Sequence, residues 1–285
     1  MEIKKAVIPA AGLGIRFLPA TKSQPKEMLP IIDKPIIHFV VEELVKSGID
    51  DITIITGRGK RALEDYFDYT PELENHLRQS GQLDLLKSVE EILNNTSIHF
   101  IRQREPKGLG DAILYAEKHI GNEPFVVALG DTIVFSETPL TKQLIDTFYK
   151  YNTSILAVEE IPNEEISSYG VIDGDMINDD IFVVKDLVEK PKPHEAPSNI
   201  CMIGRYILTP DIFDCLKQTK PGHKNEIQLT DALKILLEKQ NIHALKIKGK
   251  WYDIGDKSDY LMAIVESALQ REDLNDFKTR LKKIL

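Results

Sequence analysis

Ala10–Pro30, AAGLGIRFLPATKSQPKEMLP, follows a short apolar run, KKAVIP, and holds two close glycines, the cations Arg16, Lys22 and Lys26, and three prolines. Glycines just past a strand let backbone N–H groups approach a phosphate, and Arg16 and Lys26 would supply charge. The stretch is not a P-loop, because G-x-x-x-x-G-K-[ST] is absent. Nor is it a dinucleotide fingerprint, because Phe17 stands where the third glycine belongs. On spacing alone, a surface loop with solvated cations explains these residues equally well.

Four further strand ends carry usable side chains. Gln103 closes SIHFIRQ ahead of KGLG. Its amide offers donor and acceptor together, a match for the imide edge of a pyrimidine, and Gly108 allows close backbone approach. Asp131 ends PFVVALGD. A carboxylate there suits Mg2+, which takes one or two carboxylates plus substrate phosphates; a turn or helix N-cap is the structural alternative. Glu189 and Lys190 end VVKDLVEKP. Lys190 could meet a phosphate and Glu189 sugar hydroxyls, although alternation puts them on opposite faces unless the strand ends or bulges there; a surface ion pair is the alternative. WYDIGD offers Asp253 as a second metal carboxylate and Asp256 as the N-cap of the last helix. Asp131 and Asp253 could equally both be structural. H-E-x-x-H and G-x-S-x-G are absent, which argues against zinc hydrolysis and serine-hydrolase chemistry.

The elements around these residues point to an α/β fold. KKAVIPA, DITIIT, SIHFIRQ, PFVVALGD and TSILAVEE read as strands, and KPIIHFVVEELVKSG, GKRALEDYFD, GLGDAILYAEKHIG and TKQLIDTFYKY as helices. Residues 72–93 read as an amphipathic helical excursion broken near Gly81. Such alternation predicts a mostly parallel sheet flanked by helices. After Glu160, YGVIDGD, FVVKDLVEKP and ICMIGRYILTP add a mixed sheet. The helices DIFDCLKQ and EIQLTDALKILLEKQ, a strand pair IHALKIKGKWYDIG and the helix DKSDYLMAIVESALQ complete it. No Pro/Gly/Ser-rich linker parts the halves, so one domain over 1–285 is expected. Ligands of open parallel sheets bind outside the carboxyl ends of the strands, where the residues above fall.

Composition narrows the function. At 285 residues, 42% hydrophobic and 28% charged, the chain is an ordinary globular protein. A net charge of −9 argues against a general nucleic-acid binder, while a local cluster of cations can still hold an anionic ligand. Cys201 and Cys215 lack metal-ligand spacing and are expected as reduced thiols. No apolar run approaches the roughly 20 residues of a membrane span. MEIKKAVIPA lacks the apolar stretch of a secretory signal. A cytoplasmic location away from membranes is expected.

AAGLGIRFLPATKSQPKEMLPIIDKP, RQREPKGLG, FVVALGD, SSYGVID, VEKPKPHEAPSN, IGRYILTPDIF, NEIQLTDAL and KWYDIG, in that order, resemble the sugar-phosphate nucleotidylyltransferases, and among them the bacterial and archaeal UTP–glucose-1-phosphate uridylyltransferases. The resemblance implies a Rossmann-like nucleotide-diphospho-sugar transferase fold. About 1–160 would be mainly the nucleotide half, and about 161–285 mainly the sugar-phosphate half with the C-terminal helices. It implies that Ala11, Gly12 and Gly14 line the nucleotide, that Gln103 and Gly108 read uracil, and that Lys26 and Arg16 grip the triphosphate. Asp131 and Asp253 would hold Mg2+, Gly170 and Glu189 would contact glucose hydroxyls, and Lys190 the sugar phosphate. The implied reaction joins UTP and glucose 1-phosphate into UDP-glucose and pyrophosphate, in a homodimer or homotetramer. Use of dTTP is the rival within the chemistry, since thymine adds one methyl group. A non-catalytic sugar-nucleotide-binding regulator is the rival outside it. Three positions depart from the family pattern: Ile15 for Thr, Asp111 for His, and Thr132 for an acidic or apolar residue. Asp111, near the first turn of a helix, is expected to cap it; contact with the ribose or a metal is the alternative.

Overall fold

The computed structural model describes residues 2–90, 92 and 96–284. The apolar runs of the first half become strands β1 (Lys5–Pro9), β4 (Asp51–Thr56), β5 (Ser97–Arg102) and β6 (Phe125–Ala128), ordered β5-β4-β1-β6 and all parallel. Two-residue strands β2 (Pro30–Ile31) and β3 (Lys34–Pro35) form a small hairpin between β1 and β4. β7 (Thr132–Phe135) follows β6. The second half supplies β8 (Ser154–Glu160), β9 (Gly170–Asn178), β10 (Ile181–Glu189), β11 (Ile200–Leu208), β12 (Ile242–Lys246) and β13 (Lys250–Asp253). All of these but β13 extend the same sheet to nine strands, β5-β4-β1-β6-β11-β8-β12-β10-β9, in which only β11 and β10 run against the rest. The mixed half expected from the sequence is therefore continuous with the parallel half.

Helices cover both faces, and side-chain alternation decides which face each residue serves. Ala6, Ile8, Ile52, Ile54, Val126 and Ala128 pack with α1 (Ile36–Lys46) and α7 (Leu140–Tyr151). Their neighbours Val7, Ile55, Phe125 and Val127 pack with α5 (Leu109–Leu114), α8 (Ile212–Gln218) and α9 (Leu229–Leu237). Burial on both faces is why β1 and β6 are almost wholly apolar past Lys5. α1 ends ahead of Gly48 at φ +90°, a left-handed stop. α2 (Arg61–Tyr66) precedes the expected excursion, which forms as α3 (Pro71–Gln79) and α4 (Leu83–Glu90) on either side of Gly81; the last of its expected residues lie outside those described. A turn interrupts GLGDAILYAEKHIG, leaving α6 (Glu117–Ile120) as a separate helix. The chain closes with α10 (Lys257–Gln270), capped by Asp256 as expected, and α11 (Asn275–Leu281). Cys201 and Cys215 are buried and free of any disulfide.

One expectation is corrected. IHALKIKGKWYDIG is not a strand pair with itself: β12 joins the main sheet, whereas β13 pairs antiparallel with β7. TIVF, too short and too mixed to announce itself as a strand, is the partner the sequence reading lacked. This ribbon matters because its register sets Asp253 opposite Thr132, beside Asp131.

Candidate active site

The chain leaves β1, goes to β4 and β5 on one side, and returns to β6 on the other. The carboxyl ends of β1 and β6 thus meet at a reversal of strand order, where open sheets leave a crevice. The loop after β1 and the turn after β6 open onto it. The loop is a series of 3-10 turns at Ile15–Phe17, Ala20–Lys22 and Lys26–Met28. Gly14 bends it at φ +64°, and the Thr21 hydroxyl donates to Gly14 O at 2.6 Å.

A cleft of about 370 Å3 lies under this loop and gathers Gly12, Gly14, Arg16, Lys26, Asp131, Gly170, Glu189, Lys190 and Asp253. A second cleft of about 350 Å3 holds Ala11 and Gln103 with Lys22, Arg58, Lys60 and Arg104. Gly12 and Leu13 line both, so the opening loop is the wall between them. Gly108 lines neither. It starts α5 at φ +106°, where a Cβ would lie 2.7 Å from Ile227 O.

Lys26 Nζ forms an ion pair with Asp131 Oδ2. Arg16 Nη1 lies 3.4 Å from Gly255 O and 4.0 Å from Asp253 Oδ2. Asp253 Oδ1 accepts from Gly255 N at 2.8 Å, and Tyr169 OH donates to Asp253 Oδ2 at 3.4 Å. A Cβ at Gly255 would sit 2.8 Å from Asp253 Oδ1, 3.2 Å from Arg16 Nη1 and 3.5 Å from Asp131 Oδ2. Two carboxylates and a guanidinium therefore converge on one small space that glycine leaves open.

Burial opposes the charge on all three central groups, and their neighbours decide the outcome. Lys26 is desolvated, yet Asp131 and Glu27 raise its ammonium above the ordinary lysine value. Burial alone would raise the Asp131 carboxyl; Lys26 and Arg16 hold it below the ordinary range. Asp253 lacks so close a cation, and burial together with the Asp131 charge pushes its carboxyl up. Two facing carboxylates, one held ionised and the other resisting ionisation, form an oxygen donor set suited to a hard divalent cation. A separate trio, Asp51, His99 and His119, brings its ligand atoms within 4.8 Å of one another. It offers imidazoles, which suit softer metals than Mg2+, and stands at the start of β4, away from both clefts.

In the same cleft, β10 ends at Glu189 and Lys190 turns left-handed at φ +46°. The strict alternation that would have parted these two side chains stops there. Lys190 Nζ comes back to 3.1 Å from Glu189 Oε1, while Thr230 Oγ1 donates to Glu189 Oε2 at 2.5 Å. Gly170 leaves room for that carboxylate: a Cβ there would lie 2.3 Å from Met202 Cε and 3.2 Å from Glu189 Oε2.

Several supports escaped the sequence reading. Glu27, buried beside Lys26, accepts from Lys60 Nζ at 2.7 Å. Gly130 packs directly on it, its absent Cβ 3.3 Å from Glu27 Cγ. Arg205, wholly buried, donates to Glu43 through Nε at 3.2 Å and Nη2 at 3.0 Å, and to Leu129 O and Thr132 O on either side of Asp131 at 3.3 and 3.1 Å. The capping role expected of Asp111 is also corrected. Gly108 is the N-cap of α5, with no side-chain cap bond, and Asp111 Oδ2 instead accepts from Gln103 Nε2 at 2.6 Å.

The fold and site define a nucleotidyl transferase: the model of that family matches residues 5–269, and the chain belongs to it. Over 273 residues, 96% of this chain and 92% of the relative, it is 52% identical to UTP–glucose-1-phosphate uridylyltransferase YngB of Bacillus subtilis (strain 168). A UDP-glucose pyrophosphorylase solved in complex with UDP-glucose matches with a TM-score of 0.89 at 47% identity, over 95% of this chain and 100% of that one. A UTP-bound UGPase from Acinetobacter baumannii matches with a TM-score of 0.91 at 36% identity over 100% of both chains. No helix among the described residues is long and apolar enough to cross a membrane.

Proposed function

We propose that the chain is a UTP–glucose-1-phosphate uridylyltransferase. The observation that carries this is the single cleft that gathers Arg16, Lys26, Asp131 and Asp253 together with Glu189 and Lys190. The names of its relatives agree. An oxygen of the glucose 1-phosphate phosphate forms the new bond to the α-phosphorus of UTP, and the bond to the β-phosphate breaks, releasing pyrophosphate. That nucleophile has a second pKa of about 6 and is mostly dianionic at neutral pH, so no side-chain base is needed. The obstacle is repulsion between anions, together with orientation. Lys190 holds the sugar phosphate and Glu189 the glucose hydroxyls. Lys26, released from Asp131, meets the α-phosphate, and Arg16 holds the departing pyrophosphate. Ala11, Gly12 and Gly14 offer backbone groups to the nucleotide, and Gln103 reads the base. Asp131 and Asp253 would hold Mg2+, which when bound neutralises phosphate charge.

The test is pyrophosphate release with glucose 1-phosphate and Mg2+, offering UTP, dTTP, ATP, CTP and GTP separately. Release chiefly with UTP is expected, and Lys26→Ala should lower it about a hundredfold. A preference for dTTP would make the chain a thymidylyltransferase. Silence with every nucleotide, from folded protein, would leave a sugar-nucleotide-binding regulator.

The homo-oligomer implied by the resemblance would use α10, whose Leu261 and Met262 stand exposed, near Leu269. Leu261→Glu should then sediment as a smaller species than the parent chain. A parent chain that is itself a monomer at micromolar concentration would remove the proposal.

A further inference from the structure

Gln103 is 3% exposed and faces the second cleft, its backbone N–H tied to Thr56 O at 2.8 Å. A free glutamine amide turns over about χ3 at little cost and can show either face. Here it cannot, because Nε2 donates to Asp111 Oδ2 at 2.6 Å. A carboxylate only accepts, so the end of the amide that it meets must be the NH2 group. The second N–H and Oε1 are left, in a fixed order, for whatever enters the cleft. Uracil shows an N3–H donor beside the O4 acceptor; cytosine shows an N3 acceptor beside an amino donor. One setting of the amide complements uracil, and the half-turned setting complements cytosine. We propose that Asp111 is a positioning residue that locks the Gln103 amide in the setting that accepts uracil and rejects cytosine. The inference rests on the reading of Gln103 as the base contact. It assigns a role to a position at which this chain departs from the family pattern.

The experiment compares kcat/KM for UTP and CTP in the parent chain, Asp111→Asn and Gln103→Ala, with a thermal melt of each. Asparagine keeps the shape of Asp111 but offers both donor and acceptor, so the Gln103 amide can take either setting. The UTP:CTP ratio of kcat/KM should fall about ten- to a hundredfold in Asp111→Asn. Most of the fall should be a lowered KM for CTP, with the KM for UTP raised only about twofold, kcat for UTP changed little and the melting transition retained. Gln103→Ala should collapse the ratio at least as far. If the ratio survives in Asp111→Asn and collapses in Gln103→Ala, the role of Asp111 is overturned while the base contact stands. A ratio that survives in Gln103→Ala removes both. Equal losses with UTP and CTP in Asp111→Asn would mark a merely structural residue and also overturn the proposal. Asp111→Ser, which likewise offers donor and acceptor, carries the same comparison should the asparagine variant not fold.

Discussion

Asp253→Asn is expected to melt at a higher temperature than the parent protein while turning over about 10²–10³-fold more slowly. Both effects come from one carboxylate. Burial, and after it the charge of Asp131, raise the Asp253 carboxyl. Ionising it therefore costs more in the folded chain than in the unfolded one, and at neutral pH its charge destabilises the fold. Asparagine removes that charge yet keeps an oxygen for the Gly255 N–H and a polar partner for the Tyr169 hydroxyl. The gain should shrink as pH falls through the raised Asp253 pKa, where the parent takes up the proton and becomes neutral there too. Asp131→Asn should behave oppositely. The Asp131 carboxyl is held low, chiefly by Lys26 once burial is overcome, so its charge stabilises above the unfolded value and that contribution is lost as pH falls through the folded one. Thermal melts of the two variants from neutral to acid pH, beside pyrophosphate-release rates, check this. Equal destabilisation by both substitutions would mean that the carboxylates do not oppose each other. Full activity of Asp253→Asn would take that residue out of the proposed metal site.

What the sequence disclosed follows from how local each feature is. Asp131 follows a glycine and Asp253 stands two residues before one, each just past or at the end of a strand, a pattern visible within ten residues. That they meet is not local. It depends on TIVF pairing with KWYD, and four-residue strands with half-buried faces carry little periodicity to detect. Glu189 and Lys190 looked incompatible because alternation holds only while a strand lasts, and it ends between them. Asp111 looked like a capping residue because dipole logic sees only the helix it starts. Its partner lies outside that helix, eight positions back at the end of β5. Arg205 was missed for the reverse reason. Within ICMIGRYIL a single charge reads as the solvent side of a strand, yet every residue of β11 after Ile200 is buried. The usable signal was a charge inside a run too apolar to have a wet face, for which the complement, Glu43, sits on an amphipathic helix far away in sequence.

Arg205→Met is expected to cost about 3–5 kcal/mol of stability, lowering the melting temperature by roughly 10 °C for a chain of this size. Its side chain is wholly buried, and Glu43 is nearly so, at 9% exposed. The Glu43 carboxylate also accepts from Thr141 N at 3.0 Å and Thr141 Oγ1 at 2.6 Å. Removing the guanidinium thus strands a buried charge, which accounts for most of the cost. Glu43→Leu combined with Arg205→Met removes the stranded charge and should recover part of the loss. It should not recover all of it, because Arg205 also satisfies Leu129 O, Gly204 O and Thr132 O, and methionine donates to none of them. Those carbonyls flank the turn that carries Asp131. Activity should therefore fall about tenfold in the double variant even at temperatures where it is fully folded, since a slightly displaced carboxylate suffices to misplace the reacting groups. Melts and rates on the single and double variants separate the two effects. A double variant that regains stability and keeps full activity would confine Arg205 to packing. One that regains stability but stays slow would show that the buried pair sets the position of Asp131.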